Sequence, residues 1–252
     1  MDGAAPGGTQ TNRDGGLDEA ARALAEIGYA CARAPSLHPA LAAAGLRDWD
    51  GFAASWDALG QDTYMADGGR YRSRRFAAFS VAAGSVKRKP HQPHYQSRDY
   101  NRLNGGIARW FEPVTDAIAG HPATQSIIRV SDGLFSALTP AEHRPRAWHV
   151  ELHQFRIIAS VAAEGRPTPE GMHRDGVDWV LVLLIDRQNI ASGETTIHDL
   201  AQRPLGSFTL TEPLDAAFVD DSRVFHGVTP VSRLEPGLPA HRDVLVITFR
   251  HE

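Results

Sequence analysis

Hydrophobic residues recur at helical spacing through most of the first half of the chain. In the segment Leu17–Ile27 the apolar residues fall three or four positions apart, and Gly28 follows, which is typical of a helix that ends at a glycine. Aromatic and basic residues alternate over Arg70–Val81, and this alternation predicts a strand. Three further helices are predicted, at Asp48–Leu59, Ile107–Ala119 and Ala123–Leu138.

The second half of the chain has the pattern of a β protein. Trp179–Ile185 is a continuous apolar run, as expected for a strand that is buried on both faces. Short strand-like segments are separated by Gly, Pro, Asp or Ser at intervals of about 8–12 residues, which is typical of a sandwich or barrel. The other predicted strands are His149–Val161, Thr195–His198, Ser207–Leu210, Ala216–Val219, Arg223–Val228 and Asp243–Phe249. The predicted fold class is therefore mainly β with flanking helices (α+β), a β-barrel or jelly roll braced by N-terminal helices.

Composition restricts the class of protein. The 252 residues carry a net charge of −4, which argues against nucleic acid or an anionic membrane as a partner. Residues 1–16 are glycine-rich without an apolar stretch, so we expect a disordered tail rather than a signal peptide, followed by a single domain over residues 17–252. The single cysteine, Cys31, excludes a disulfide framework and fits a reducing compartment, so we expect a cytoplasmic protein.

Metal chemistry in this chain must use imidazole and carboxylate ligands, and one set of such residues stands out. His173 and Asp175 precede the buried strand, and positions i and i+2 of a strand point to the same face. His226 follows on another predicted strand. Two imidazoles and one carboxylate leave positions open for a 2-oxo acid and dioxygen, as in non-haem Fe(II) oxygenases. The alternative is a loop ion pair and a core histidine. A second His-x-Asp motif occurs at His241–Asp243. Too few residues follow it to form an opposing strand that would carry the second histidine ligand.

Arg242 begins the last apolar strand, where an unpaired guanidinium would be costly to bury. A carboxylate held through two parallel hydrogen bonds is its natural partner. The distal carboxylate of 2-oxoglutarate would supply one, and a neighbouring Asp or Glu is the alternative. Arg250 shares the strand face of Arg242 but lies at the chain end, which makes it the weaker candidate.

Several unusual sequence blocks occur in one order along residues 60–250. They are Asp62–Tyr64, Gly69–Arg75, Tyr95–Ser97 with Asn101, Gly105–Arg109, His153–Ile157, His173–Asp175, Gly193–Thr195, His226–Pro230 and Arg242–Leu245. In these blocks the chain resembles the bacterial Fe(II)/2-oxoglutarate dioxygenase family that contains the free L-isoleucine 4-hydroxylases and related amino-acid hydroxylases. Some relatives are known through biofilm, stress and motility phenotypes.

The resemblance implies a double-stranded β-helix, a cupin-like jelly-roll barrel with helices packed outside. It implies iron on His173, Asp175 and His226, and 2-oxoglutarate held by Arg242. The implied reaction uses O2 to hydroxylate a free amino acid or similar small polar molecule, with release of succinate and CO2. Related halogenases have a small residue in place of the metal-binding carboxylate, so Asp175 favours hydroxylation. Residues 1–60 do not match the family pattern.

Polar residues near the predicted barrel mouth are candidates for binding the substrate. Strand alternation places Arg72 and Arg74 on one face and Arg75 on the other, and an inward arginine could hold a substrate carboxylate; a solvated basic face is the alternative. Gln96, Asn101 and Arg109 lie near the Gly105–Gly106 turn, where they could line the mouth of the barrel or make the hydrogen bonds of the turn itself. The remaining candidates are Gln154 and Arg156.

Two other functions fit the same residues. A non-catalytic jelly roll that binds a metal or a small anion, in stress or biofilm regulation, would keep the fold and the metal but would not turn over 2-oxoglutarate. A cupin-type isomerase or simple dioxygenase would be indifferent to Arg242. The sequence leaves the substrate, the hydroxylated carbon and the oligomeric state open.

Overall fold

The computed structural model describes residues 16–101, 103–161 and 163–252, so the expected tail lies outside the described residues except for Gly16. The helices are α1 (Leu17–Ile27), α2 (Ala34–Ala43), α3 (Trp49–Ala54), followed by a 3-10 turn (Ser55–Ala58), α4 (Asp116–Ala119) and α5 (Pro122–Leu138). None of the described helices is both long enough and apolar enough to cross a bilayer.

Strands dominate the rest of the chain. They are β1 (Tyr29–Ala32), β2 (Arg72–Ala82), β3 (Ser85–Arg88), β4 (His94–Tyr95), β5 (Ala108–Arg109), β6 (Trp148–Ile158), β7 (Trp179–Gln188), β8 (Ile190–Ser192), β9 (Thr195–Asp199), β10 (Pro204–Phe208), β11 (Ala216–Asp220), β12 (Val224–Val228), β13 (Val231–Arg233) and β14 (His241–His251). A large antiparallel sheet has the order β1-β11-β7-β14-β6-β2-β3. Smaller sheets are β10-β9-β12, β13-β8 and β4-β5.

The two faces of the large sheet have different partners. On β7, Leu181 and Leu183 pack in the main core with the buried faces of α1, α2 and α5, while Val180 and Val182 point to the opposite face, because side chains alternate along a strand. On that opposite face, Val180 packs with Ile197 of β9, so the small sheet covers the inner side of the large one. The result is a barrel whose outer wall is covered by helices, which confirms the predicted arrangement.

The predicted helix at Ile107–Ala119 is wrong. Residues 108–109 form β5, and only Asp116–Ala119 is helical. Pro113 in this segment has no N–H to donate and disfavours a continuous helix. The backbone on either side of it pairs with β2 instead: Phe76 donates to the Glu112 carbonyl and accepts from Val114, both at 2.9 Å.

The other predicted helices and strands are present with shifted ends, and several short elements were missed. Asp48 caps α3 through a hydrogen bond from the Gly51 N–H, and Gly28 ends α1 with a φ of 81°. Helix α2 was not predicted. It has Pro35 in its first turn and Pro39 in its interior, and an interior proline disfavours a helix. The strands that the sequence analysis did not predict are β1, β3, β4, β5, β8 and β13.

Candidate metal centre and active-site cavity

The inner side of the barrel contains a cavity of about 410 Å³. Small-molecule sites commonly have volumes of about 300–1,000 Å³. Part of its wall is apolar and is formed by Phe155, Ile157, Val182, Val244 and Val246. Of the eleven candidate site residues, all except Gln154 and Arg156 line this cavity.

His173, Asp175 and His226 converge at the cavity wall. The backbones of His173 and His226 exchange two hydrogen bonds of 2.9 Å, which fix the loop that carries the His-x-Asp against β12. Asp175 Oδ1 lies 3.7 Å from His173 Nε2, and Asp175 Oδ2 lies 3.5 Å from His226 Nε2. Ligand atoms that each lie about 2.1 Å from one ion are at most about 4.2 Å apart, so both separations are compatible with a shared metal.

A buried carboxylate that the sequence analysis missed holds in place the loop that carries His173 and Asp175. Asp221, in the turn between β11 and β12, accepts hydrogen bonds from the backbone N–H groups of Asp175, Gly176 and Val177 at 2.9, 2.7 and 3.1 Å. Its Oδ1 also lies 3.9 Å from His226 Nδ1. Asp221 therefore links the loop that carries Asp175 to the strand that carries His226.

Hydrogen bonds also orient the individual ligands. His173 Nδ1 lies 3.0 Å from the Gly171 carbonyl, which accepts its proton and leaves Nε2 free to face an ion. The Gln96 amide donates to the Asp175 carbonyl at 3.1 Å and to Asp175 Oδ1 at 3.3 Å. Asn101 in turn donates to Gln96 Oε1 at 3.1 Å. Gln96 and Asn101 thus lie in the cavity as predicted, and they contact a triad carboxylate.

The electrostatic surroundings keep this carboxylate ionised. Burial favours the neutral acid, but the nearby imidazoles of His173 and His226 outweigh it and hold the pKa of Asp175 well below its ordinary value. Burial likewise favours a neutral His173, yet Asp175 and Glu170 raise its pKa to about 9. The negative charges of the site therefore stabilise a bound proton, and they would stabilise a bound divalent cation in the same way.

Arg242 lies in the cavity with two of its hydrogen-bond donors unused. Its side chain is buried, and neither Nε nor Nη2 has a hydrogen-bond partner among the described residues. Burial, and then the nearby Arg187, lower the pKa of Arg242 to about 10. The adjacent Asp243 does not pair with it, because that carboxylate binds Arg156 through bonds of 2.8 and 2.6 Å.

A second group of arginines faces the cavity from β2 and β5. Arg72 is paired with the buried Asp62 at 2.7 Å. Arg74 lies 3.6 Å from the same carboxylate, stacks on the Phe111 ring at 3.5 Å and keeps an unpartnered Nε. Arg109 is also buried with an unpartnered Nε. The predicted common face of Arg72 and Arg74 is therefore observed, while Arg75 turns away and donates to the Ala58 carbonyl.

The comparisons with known proteins agree with this geometry. The profile of the 2OG-Fe dioxygenase family matches residues 53–248. The chain belongs to this family. Membership implies Fe(II), 2-oxoglutarate and O2 as its cofactor and cosubstrates.

Three relatives illustrate the similarity to this dioxygenase family. An L-isoleucine-4-hydroxylase from Bacillus thuringiensis is 31% identical over 160 residues, which are 63% of this chain and 65% of that protein. A 3(1)-hydroxy-L-isoleucine 4-dioxygenase from Pantoea ananatis is 25% identical over 162 residues, 63% of this chain and 64% of that protein. The matches therefore span less than two thirds of these curated relatives. The crystal structure of a bsmA homologue from Methylobium petroleophilum superposes with a TM-score of 0.84 at 35% identity, covering 94% of this chain and 93% of that one.

Gln154 and Arg156 lie on the wrong face of β6 for a role in the cavity of this dioxygenase. Phe155 and Ile157 take the inward positions, so strand alternation turns their neighbours toward the helices. Gln154 donates to Ser55 Oγ at 2.9 Å. Arg156 binds Asp57 and Asp243. The interpretation of these two residues as cavity residues is therefore wrong.

A second histidine–carboxylate cluster lies in the same cavity and was not singled out from the sequence. Glu151 accepts from His94 Nδ1 at 2.8 Å and lies 3.8 Å from His153 Nε2. Arg74 Nη2 donates to His153 Nδ1, because a guanidinium can only donate. Burial, with Arg74, lowers the pKa of His153 to about 3, so the neutral ring carries its one proton on Nε2. That nitrogen then has no lone pair for an ion, and the cluster is a hydrogen-bond network rather than a metal site.

The sequence does contain a signal for this cluster. His149, Glu151 and His153 alternate along β6, so one face of the strand is polar at three successive positions. No such signal marks Glu170, whose carboxylate lies in the loop before the triad, 3.8 Å from His173 Nε2.

Proposed function

We propose that this protein is an Fe(II)- and 2-oxoglutarate-dependent dioxygenase that hydroxylates a free amino acid or a similar small polar molecule. Succinate and CO2 would be released from 2-oxoglutarate. The observation that carries the proposal is that the His173–Asp175–His226 triad and the unpaired guanidinium of Arg242 line one cavity.

In this proposal His173, Asp175 and His226 hold Fe(II), which supplies the activation of dioxygen when bound. The chain's own residues keep the three ligands in place. Asp221 fixes the loop, and Gln96 donates to Asp175 so that its carboxylate keeps one orientation. A carboxylate at position 175 occupies a coordination position that a halide would need, which favours hydroxylation over halogenation.

Arg242 binds the distal carboxylate of 2-oxoglutarate. Its two unpartnered atoms, Nε and Nη2, lie along one edge of the guanidinium plane, and that edge presents two parallel N–H groups. Arg156 uses the same edge for Asp243, with Nε on Oδ1 and Nη2 on Oδ2. A ligand carboxylate on Arg242 would make the equivalent pair of bonds, while the neighbouring Val244 and Val246 would pack against its methylenes.

Arg74 and Arg109 are the groups that would hold the carboxylate of the amino acid. Each is buried and keeps an unpartnered Nε, whereas Arg72 is already paired with Asp62. A carboxylate ligand would relieve the cost of burying these donors. The two curated relatives, whose names refer to isoleucine and hydroxyisoleucine, support an aliphatic amino acid as the first substrate to test.

The first test is an anaerobic titration of the protein with Fe(II) and 2-oxoglutarate. We expect the metal-to-ligand charge-transfer band of chelated 2-oxoglutarate in the wild type, its loss in H173A and D175A, and a much weaker 2-oxoglutarate affinity in R242M. The control is R203M, which removes an exposed guanidinium paired only with Asp199.

The second test measures succinate release in air with each of the twenty amino acids. We expect at least one to stimulate succinate formation and to gain one oxygen atom by mass spectrometry. A protein that shows the band but never forms succinate would be a non-catalytic binder. A protein whose turnover is indifferent to 2-oxoglutarate and to R242M would be a cupin-type enzyme of another class.

A further inference from the structure

Glu170 is a largely enclosed carboxylate of the cavity that forms no hydrogen bond or close ion pair with the described residues. Its side chain is 11% exposed, and its Oε2 has no hydrogen-bond partner among the described residues. Its Oε1 lies 3.8 Å from His173 Nε2, which is beyond hydrogen-bond distance. No Lys or Arg nitrogen of the residues described lies within 4.0 Å of it. An ionised carboxylate in this state is costly, so a donor is missing from the protein alone.

A metal in the triad would increase this shortage of donors. Among the described residues, the cationic group nearest to Glu170 is His173, whose Nε2 lies 3.8 Å from Glu170 Oε1. Once Nε2 donates its lone pair to an ion it carries no proton, since Nδ1 donates to Gly171. The loaded enzyme would therefore leave both oxygens of Glu170 without a donor from the residues that the structure describes.

A ligand that enters the cavity can supply this donor, and the position of Glu170 limits what that ligand is. Glu170 lines the same cavity as Arg74 and Arg109, and its negative charge acts on Arg109. The cavity thus presents a free carboxylate and two guanidinium groups with free donors to one occupant. A ligand with an ammonium group and a carboxylate matches both features, whereas a simple carboxylic acid matches only the guanidinium groups.

We infer that Glu170 binds the α-ammonium group of the substrate and makes the cavity selective for amino acids over simple carboxylic acids. This inference rests on the proposed function, because it assigns a contact within that substrate site. Glu170 is a substrate-binding residue in this account and takes no part in holding the metal or 2-oxoglutarate.

The test compares L-isoleucine with 3-methylpentanoate, which has the same carbon skeleton and carboxylate without the ammonium group. Both are titrated anaerobically into the Fe(II)–2-oxoglutarate complex of the wild type, E170Q and E164Q. Gln has the size of Glu without its charge. Glu164 is an exposed carboxylate of the preceding loop that does not line the cavity, so E164Q is the matched control.

We expect E170Q to bind L-isoleucine about tenfold to hundredfold more weakly, the loss typical of one hydrogen bond between charged groups. Binding of 3-methylpentanoate should change by less than about threefold, so the preference for the amino acid falls. E164Q should behave as the wild type. The charge-transfer band should persist in E170Q, and the affinity for Fe(II) should fall by no more than about tenfold, because a nearby negative charge is lost but no metal ligand is.

Three results would overturn the inference, and they are distinguishable from a failure of the proposed function. Equal weakening of both ligands in E170Q would indicate a general structural role. A loss of Fe(II) affinity beyond about tenfold in E170Q would place Glu170 with the metal ligands. Unchanged L-isoleucine binding would indicate that water satisfies Glu170. If the wild type shows no charge-transfer band, or binds neither L-isoleucine nor any other amino acid, the proposed function itself fails and this inference falls with it.

Discussion

Asp221 offers a sharp test of how the proposed metal site is held, because it contacts the loop of His173 and Asp175 without belonging to the triad. The change to make is D221N, which keeps the size of the side chain but leaves one acceptor oxygen in place of two. In the wild type Oδ1 accepts from Asp175, and Oδ2 accepts from Gly176 and Val177. Asn can serve only one of these two sets and turns its own NH2 group toward the other.

The size of the effect follows from these bonds. A hydrogen bond to a charged group contributes about 1.5–3 kcal/mol, and the amide leaves at least one backbone N–H of the loop unpaired. We expect D221N to lower the free energy of unfolding by about 1–3 kcal/mol. Loss of a partner that orients metal ligands typically weakens metal binding about tenfold to hundredfold, and we expect a loss in this range.

Calorimetric titration with Fe(II) under anaerobic conditions measures the metal affinity, and urea unfolding measures stability. D220N is the control, because Asp220 ends β11 directly before Asp221, and among the described residues its side chain accepts from Ser222. We expect D220N to keep nearly the wild-type metal affinity. A D221N protein that is folded and binds Fe(II) as tightly as the wild type would refute the idea that these loop hydrogen bonds position Asp175.

Three further predictions follow from the other buried charges. R242M should weaken 2-oxoglutarate binding by at least about a hundredfold, since two charge-assisted bonds are lost, and should leave the Fe(II) affinity in calorimetry within about threefold of wild type. D62N keeps one acceptor oxygen but leaves the buried Arg72 without its counter-charge, and it should cost about 3–5 kcal/mol of stability at neutral pH. Burial favours the neutral form of Asp62, but Arg72 and Arg74 outweigh it and lower its pKa below 3.8 in the folded protein. The stabilisation that ionised Asp62 gives the folded state is therefore fully present above about pH 4, and it is lost as the pH falls through the lower pKa of the folded state. Urea unfolding of D62N and wild type should therefore converge in acid. Q154L should leave the KM for the amino acid unchanged within about twofold, because Gln154 contacts Ser55 outside the cavity, and a larger change would contradict the assigned face of β6.

The triad could be predicted from the sequence because each of its members occurs in a strand-like or strand-flanking context. His173 and Asp175 are two positions apart beside an unmistakable buried strand, and His226 lies within a short apolar segment. Alternation along a strand applies strictly only to His226, because His173 and Asp175 lie in the loop before β7 and only His173 pairs with β12. The same rule placed Arg72 and Arg74 together on the cavity side of β2.

The rule failed on β6 because the polarity pattern of that strand inverts along its length. In the first part the outward residues, such as Val150 and Leu152, are apolar and pack in the helix-covered core. Further along, the outward residues are Gln154 and Arg156, because the 3-10 turn supplies polar partners there rather than an apolar face. A polar side chain in the second half of this strand therefore does not mark the cavity.

Asp221 and Glu170 were missed for a different reason. Both lie in irregular segments, where no periodic pattern indicates which way a side chain points. A lone carboxylate in a loop is usually solvated, and only the three-dimensional contacts distinguish a buried one. Asp221 becomes recognisable through three backbone donors, and Glu170 through the absence of any donor for Oε2 among the described residues.

The charges of the cavity can be divided between its proposed occupants. On the metal side, the negative charge of Asp175 balances the positive charge of Arg242. The two positive charges of Fe(II) would balance the two carboxylates of 2-oxoglutarate, and the histidine ligands would be neutral. On the other side three guanidinium groups face three carboxylates, and these residues are Arg72, Arg74, Arg109, Asp62, Glu151 and Glu170. Arg250 also lines the cavity, but it is exposed and water screens its charge, so each half is balanced among its less exposed groups before the substrate enters. A substrate with a net charge would upset that balance in a buried site where charge is poorly solvated, whereas a zwitterion with an uncharged side chain would not. The layout favours aliphatic or other uncharged amino acids over aspartate, glutamate or lysine.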